Sequence, residues 1–221
     1  MNSLLRFSNI HLQYQNGTLL TEVIKGIDFT IHQNEKLAIV GKSGSGKTSL
    51  LMLMAGLEKP TSGNITYQDQ DITTYSEDQL TEYRKKNIGI VFQSFYLIPN
   101  YTALENVALP LEINFQKDAL SQAKEILVDL RLEDRLQHFP SQLSGGEQQR
   151  VAIARAIIKK PELILADEPT GNLDDENTEV ITELIFNIAT KYQKSLCLVT
   201  HDADLAKRCD RIMTIENGTV V

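Results

Sequence analysis

The chain has 221 residues, 42% of them hydrophobic and 23% charged, enough apolar material for one large α/β domain with an inserted subdomain. A formal net charge of -7 argues against non-specific nucleic-acid binding but leaves a local basic patch open. No apolar stretch approaches the roughly 20 residues of a membrane-spanning helix, and the N-terminus lacks the apolar core of a signal peptide. If the protein works at a membrane, we expect another chain to provide the span.

Cys197 and Cys209 are the only cysteines in the sequence. Neither stands in a C-x-x-C or cysteine–histidine pattern typical of a metal site. We therefore expect both to be reduced packing residues of a cytosolic protein.

The first third of the chain predicts a small antiparallel sheet. Residues 4–31 contain alternating or apolar β-like pieces that break at Asn16-Gly17, a typical hairpin turn. A second turn at residues 60–63 precedes a short predicted strand at residues 64–67. These pieces indicate an antiparallel β subdomain beside a main sheet.

Residues 41–48 read Gly-Lys-Ser-Gly-Ser-Gly-Lys-Thr, a complete phosphate-binding loop of the form G-x-x-x-x-G-K-[ST]. The loop lies between a predicted buried strand at residues 36–40 and a predicted core helix at residues 49–57. Glycines let the backbone N–H groups turn toward phosphates, Lys47 supplies a positive charge, and the Thr48 hydroxyl is suited to bind Mg2+. The predicted nucleotide contacts here are Gly41, Ser43, Gly44, Ser45, Gly46, Lys47, Thr48 and Ser49.

The middle of the chain is helical in pattern, at residues 76–86, 117–136 and from Gly145 to Pro161. Strands and helices then alternate. Strands are predicted at residues 162–167 and 195–200, helices at 178–191 and 203–208, and a closing hairpin at 212–220. This alternation indicates a mainly parallel sheet, so the fold class is α/β with an inserted helical lobe.

Asp167 and Glu168 follow an apolar strand, which in a parallel sheet places both at the carboxyl edge where ligands bind. Asp167 is suited to hold Mg2+ and Glu168 to act as general base on an attacking water. On their own, the two carboxylates could equally be solvated residues at the end of a strand. The phosphate loop upstream favours the functional interpretation.

Residues 144–147 read Ser-Gly-Gly-Glu, which has the spacing of a helix capping box. Gly145 and Gly146 lower the helix propensity of the first turn, and the cap does not require them. We therefore predict that bare backbone at this helix N-terminus faces an anion.

With Leu143 before it, this segment resembles the signature of ATP-binding-cassette (ABC) ATPases, and the order of motifs along the chain is similar to theirs. The resemblance implies a phosphate-loop NTPase core with a small antiparallel β subdomain and an inserted helical subdomain. It divides the single domain 1–221 into a nucleotide-binding core, residues 1–92 and 162–221, and a helical subdomain, residues 93–161. It also implies that Ser144, Gly145 and Gly146 of one copy face the phosphate loop of another, in an ATP-dependent head-to-tail homodimer.

The resemblance implies roles for four further residues. Tyr14 is expected to stack on adenine, Gln93 to join the Mg2+ and water shell, and His201 to contact the γ-phosphate. Asp174 is expected in the loop that crosses to the second copy. Many relatives have Ser-Ala-Leu-Asp there, whereas residues 171–174 here read Gly-Asn-Leu-Asp, so the roles of the first two positions are open.

Residues 92–99, 103–107 and 165–174 resemble the branch that contains lipoprotein-releasing, macrolide-export and cell-division ATPases. This implies an ATPase with ATP and Mg2+ as cofactors, held peripherally at the cytoplasmic face of the inner membrane by a separate permease subunit. Residues 95–101 are expected to receive that partner, unless they are ordinary core contacts. Neither the substrate nor the choice between export, lipoprotein release and mechanical signalling follows from the sequence.

Two alternatives remain. A soluble ABC ATPase acting on nucleic acid or ribosomes usually carries two cassettes or a long coiled coil, and this sequence contains neither. A phosphate-loop kinase or GTPase is disfavoured by the signature and by the lack of an N-K-x-D motif. We therefore expect no nucleic-acid partner.

Overall fold

A computed structural model describes residues 2–17 and 19–221, which form two sheets flanked by helices. The strands in these residues are β1 (Ser3–Asn16), β2 (Leu19–His32), β3 (Lys36–Val40), β4 (Ser62–Tyr67), β5 (Gln70–Asp71), β6 (Ile88–Phe92), β7 (Leu163–Asp167), β8 (Ser195–Val199), β9 (Arg211–Glu216) and β10 (Thr219–Val220). The α-helices are α1 (Lys47–Met54), α2 (Glu77–Asn87), α3 (Ala103–Glu112), α4 (Ala119–Asp129), α5 (Gly145–Ile157), α6 (Asp175–Lys191) and α7 (Ala203–Lys207).

The N-terminal strands form the predicted antiparallel sheet, in the order β2-β1-β4-β5. Strands β1 and β2 pair along most of their length and meet at Asn16 and Leu19, so the chain reverses where the Asn16-Gly17 turn is predicted. Strand β4 pairs with the other edge of β1. The antiparallel subdomain is therefore confirmed.

The second sheet has the order β10-β9-β3-β8-β7-β6, and all its pairs are parallel except the closing β9–β10 hairpin. Alternate residues of β7 pack into different cores. Leu163 and Leu165 join the cluster that contains β1, β2 and α1, while Ile164 and Ala166 join the cluster formed with α3 to α6. A strand that is buried on both faces has a continuous apolar sequence. Residues 163–166 have such a sequence directly before Asp167, which is why strand β7 could be predicted.

Several predicted boundaries were wrong by a few residues. Helix α1 begins at Lys47 instead of residue 49 and ends at Met54 instead of 57, and α5 ends at Ile157 instead of Pro161. The predicted helix at residues 117–136 is α4 followed by a short 3-10 turn at Glu133–Arg135. Arg131 and Lys160 lie just past the ends of α4 and α5, and both have a positive φ. A residue in this left-handed conformation cannot continue a right-handed helix, so it marks where the helix ends.

Helix α3 was not predicted at all. Thr102 and Glu105 form a capping box at its start, but Pro110 lies inside the helix and removes one backbone donor. Helix α5 packs against α3 and also against β6 of the main sheet. The division into residues 1–92 with 162–221 and residues 93–161 therefore stays a prediction.

Across the described residues, no helix combines the length and apolarity needed to cross a bilayer.

Candidate functional site

The parallel register brings the sequence motifs to one edge of the main sheet. Phe92 pairs with Asp167, Asp167 with Val199, and Val199 with Ile39, so four strands end side by side. The segments that follow these strands carry Gln93, Glu168, His201 and the phosphate loop. Residues far apart in sequence are therefore adjacent at the carboxyl edge, as the pattern predicts.

The side chain of Lys47 binds back to the phosphate loop that carries it. Gly46 caps α1 with φ 102°, and a Cβ at this position would lie 2.8 Å from Cδ1 of Ile24, so only glycine fits without rearrangement. The buried Lys47 Nζ donates to the carbonyl oxygens of Gly41 and Lys42, at 2.9 and 3.0 Å. An ammonium group has three donors, so one remains for a ligand.

A cavity of about 700 Å3 opens at this edge. Its lining residues are Val23, Gly41, Lys42, Ser43, Gly44, Gly46, Lys47, Thr48, Ser49, Gln93, Asp167, Glu168, Val199 and His201. Ser45 lies within the loop, is buried and does not line the cavity. Apart from Ser45, the structure gathers the predicted loop residues, Gln93, both carboxylates and the histidine.

Thr48 and Asp167 join the loop to the end of β7. The Thr48 hydroxyl donates to Oδ2 of Asp167 at 3.0 Å. Burial raises the pKa of Asp167 above its ordinary value, against the lowering effect of the Thr48 hydrogen bond, and the charge of Glu168 raises it further. Folding therefore places this carboxylate where a cation would favour its charged form.

Glu168 is held at the cavity by both its backbone and its side chain. Its φ is 45°, a conformation uncommon for non-glycine residues, and its N–H donates to Val199 O at 2.9 Å. His201 Nδ1 lies 2.8 Å from Glu168 Oε2. The His201 side chain is 75% exposed while that of Glu168 is 19% exposed, so the histidine reaches in from the solvent side. Backbone strain of this kind is often found at functional sites.

Tyr14 does not line the cavity. It is 42% exposed, and its hydroxyl donates to Oε2 of Glu58 at 3.1 Å. Burial of the hydroxyl and the nearby Glu58 carboxylate raise its pKa. The proposed stacking on adenine stays a prediction.

The signature residues lie outside the cavity of their own chain. Ser144 caps α5 by accepting from Glu147 N at 3.3 Å, and Glu147 Oε2 accepts from Ser144 N at 2.8 Å, so the predicted capping box is present. Ser144 is exposed and Gly145 is half-buried. These two residues are accessible to a second molecule but not to a ligand in their own cavity.

Gly146 is buried, and a Cβ at this position would lie 2.1 Å from Oδ1 of Asn177. The glycine makes room for a neighbouring side chain, and its predicted contact with an anion stays a prediction. Asn177 in turn donates through Nδ2 to Asp174, which caps α6. Asp174 is also outside the cavity, and its predicted contact with a second copy stays a prediction.

Two polar residues of α5 were missed by the sequence analysis. Gln149 is fully buried, and its Nε2 donates to Pro169 O at 2.5 Å. Arg155 donates to Phe95 O at 2.8 Å and to Tyr96 O at 2.6 Å. Both therefore support loops that flank the cavity. The only signal in the sequence was their polar character within an otherwise apolar helix face.

A family model described as ABC transporter matches residues 24–171. The chain belongs to the ABC transporter family. The matched range contains the phosphate loop, Gln93, the signature and both carboxylates of the cavity, whereas Tyr14, Asp174 and His201 lie outside it. This ABC chain is the ATP-binding, ATP-hydrolysing type of subunit that the motifs predict.

Relatives of this ABC chain cover nearly its whole length. The lipoprotein-releasing system ATP-binding protein LolD of Idiomarina loihiensis is 46% identical over 219 residues, 98% of this chain and 96% of that protein. LolD of Psychrobacter arcticus is 44% identical over 221 residues, 99% and 98% of the two chains. The ATP-binding cassette MJ0796, solved as a dimer in a post-hydrolysis state bound to ADP and Pi, matches with a TM-score of 0.91 at 38% identity, covering 98% of this chain and 96% of that one. The predicted α/β ABC fold is confirmed.

The raised pKa of Asp167 predicts that the nucleotide-free protein is stabilised by Asp167→Asn. A carboxyl whose pKa is higher in the folded state destabilises that state once pH exceeds the ordinary value. In the absence of divalent cations we expect the melting temperature at pH 7 to rise by about 2 °C, and the gain to shrink as pH falls through the raised pKa.

Asp204→Asn is the matched control, because Lys207 lowers the pKa of that exposed carboxyl. This change should not stabilise the protein. Calorimetry across pH measures both variants. A lower melting temperature for Asp167→Asn at pH 7 would show that the Thr48 hydrogen bond outweighs the cost of burial.

Proposed function

We propose that two copies of this chain bind two ATP molecules head to tail, and that their closure and hydrolysis drive a separate membrane subunit that releases lipoproteins. One observation carries the dimeric part of the proposal. The cavity contains the phosphate loop and the hydrolytic residues, but the signature of the same chain lies outside it. A second copy would supply the missing side of the site. The LolD relatives favour lipoprotein release within the predicted branch.

ATP phosphates would bind at the loop and at the N-terminus of α1. Backbone N–H groups and the positive end of the helix dipole favour an anion at this point. Lys47 adds a charge that its two carbonyl partners already orient. The loop can therefore bind the triphosphate with little rearrangement, which favours binding.

Mg2+ fits the donor set at the same edge. Thr48 and Asp167 are in contact, and Gln93 lines the same cavity. Among the described residues, no group of three or more histidine, cysteine or acidic side chains is placed to hold a metal ion by itself. A hydroxyl, one carboxylate and an amide oxygen suit Mg2+, which keeps waters and phosphates as most of its ligands. When bound, the ion would offset phosphate charge.

Glu168 and His201 would carry out the water-activating step. A neutral histidine with its proton on Nδ1 donates to Oε2 of Glu168 and fixes the carboxylate, leaving Oε1 to accept a proton from water. The free ring nitrogen of His201 then faces solvent or a ligand. Glu168 acts as base, and His201 orients it.

Glu168→Gln should leave ATP binding within about twofold and lower turnover by at least about 100-fold, because a neutral amide cannot take the proton. Glu162→Gln is the matched control, since Glu162 lies just before the opposite end of β7 and pairs with Lys194. Its turnover should stay within about twofold of the wild type. Phosphate release and binding of a fluorescent ATP analogue measure the two quantities. Full turnover in Glu168→Gln would remove Glu168 from this role.

The head-to-tail arrangement predicts complementation between two defective variants. Lys47→Ala removes the charge in the loop, and Gly145→Asp adds a carboxylate at the predicted phosphate contact, where a new Cβ meets nothing closer than 3.5 Å. A mixed dimer retains one site with an intact loop and an intact signature.

The test uses both variants in a Glu168→Gln background, followed by gel filtration with ATP. Each variant alone should retain almost no ATP, whereas an equal mixture should retain about 0.25 ATP per chain, since half of the dimers are mixed and each has one intact site. A mixture that retains no more than its components would contradict a site shared between chains.

A permease subunit on a separate chain is the proposed membrane partner, which would place this chain at the cytoplasmic face of the inner membrane. Tyr96 is 67% exposed and Tyr101 37% exposed within the predicted docking segment, residues 95–101. Exposed aromatic side chains are common at protein interfaces.

Co-purification from detergent-solubilised membranes tests this partner. We expect an integral membrane protein to be recovered with the tagged chain, and Tyr96→Ser to lower its recovery several-fold because an aromatic contact is lost. Tyr192→Ser, at a tyrosine 43% exposed on another surface, is the control and should not lower it. Recovery of ribosomes or DNA without a membrane protein would favour the alternative of a soluble ABC ATPase.

A further inference from the structure

Residues 171 and 172, whose roles the sequence leaves open, contact Gln93 in the structure. Gln93 Nε2 donates to Asn172 Oδ1 at 3.2 Å, and Asn172 Nδ2 donates to the backbone oxygen of Gln93 at 3.0 Å. One asparagine therefore binds both the main chain and the side chain of the cavity glutamine.

The backbone carbonyl sets the orientation of both amides. A carbonyl oxygen can only accept, so the NH2 group of Asn172 must face Gln93 O. The Asn172 oxygen is then the acceptor that meets the NH2 group of Gln93. This leaves the side-chain oxygen of Gln93, the end of an amide that binds a hard cation, for a ligand of the cavity.

Gly171 makes room for this arrangement. A Cβ at residue 171 would lie 2.7 Å from Nε2 and 3.1 Å from Cδ of Gln93. The φ of Gly171 is not positive, so the glycine answers a need for space and not for an unusual backbone. Its N–H also donates to Glu168 O at 3.0 Å, which ties the same loop to the proposed base.

We propose that Asn172 is a positioning residue that holds the Gln93 amide with its oxygen available to the cavity, and that Gly171 is required because it leaves space for that amide. The role in hydrolysis rests on the proposed ATPase function, but the contact itself does not. Gln93 and Asn172 are exposed, so loss of the contact should change the position of Gln93 much more than the stability of the fold.

The first test uses the nucleotide-free wild type. Nuclear magnetic resonance should show a through-space contact between the side-chain amide protons of Gln93 and those of Asn172, and Asn172→Ala should shift the Gln93 amide signals. Absence of the contact would overturn the proposal, whatever the protein does with ATP. A protein that shows the contact but has no ATPase activity would instead refute the proposed function.

The second test separates positioning from binding and folding. Asn172→Ala should lower kcat about fivefold, the effect of losing about one hydrogen bond, with KM for ATP within about twofold. Gly171→Ala should do the same, because the new methyl group displaces the Gln93 amide from the other side. Both variants should keep the melting temperature within about 2 °C of the wild type. Asn187→Ala, at an exposed position of α6, is the matched control and should change none of these values.

Both changes act through one amide, so their effects should not multiply. The double variant should lose about fivefold in kcat and not about 25-fold. A multiplied effect, an unchanged kcat in Asn172→Ala, or a fall in kcat matched by a fall in melting temperature would each overturn the positioning role.

Discussion

The site depends on the parallel register of β3, β8, β7 and β6. Backbone hydrogen bonds align the carboxyl ends of these strands, so the loop, two carboxylates, a glutamine and a histidine emerge along a single line. A slip of one residue in β7 would move Asp167 to the other face of its strand and away from Thr48. Because β7 is buried on both faces by different clusters, such a slip would also place apolar residues in the wrong core. The packing of the core therefore keeps β7 in the register that places Asp167 beside Thr48.

Helix α5 links the sheet edge to the surface that carries the signature. Its first turn contains the signature glycines. The buried Gln149 and the half-buried Arg155 bind the backbone of the loops after β7 and β6. A buried side-chain N–H group that loses its carbonyl acceptor is left unpaired, which costs free energy. A displacement of α5 would therefore move both loops, and the loops carry residues that line the cavity.

Much of the fold and the loop could be predicted because their causes are local. The octet at residues 41–48, the apolar run before Asp167 and the closing hairpin at residues 212–220 each depend on a few neighbouring residues. Contacts between distant segments could not be predicted in this way. The Gln93–Asn172 pair joins residues 79 apart, and the space around Gly146 is set by Asn177 on another helix. Helix α3 was not predicted, although Thr102 and Glu105 form a local capping box; Pro110 inside it is a residue that ordinarily interrupts a helical pattern.

Asn177 performs two tasks with one side chain. Its amide nitrogen bonds the cap of α6, and its oxygen lies against the buried Gly146 in the first turn of α5. The first turns of α5 and α6 are therefore packed against each other through this one side chain. A partner that meets this surface would contact two helix starts whose relative position is already set by side-chain packing, so little conformational entropy would be lost in ordering them.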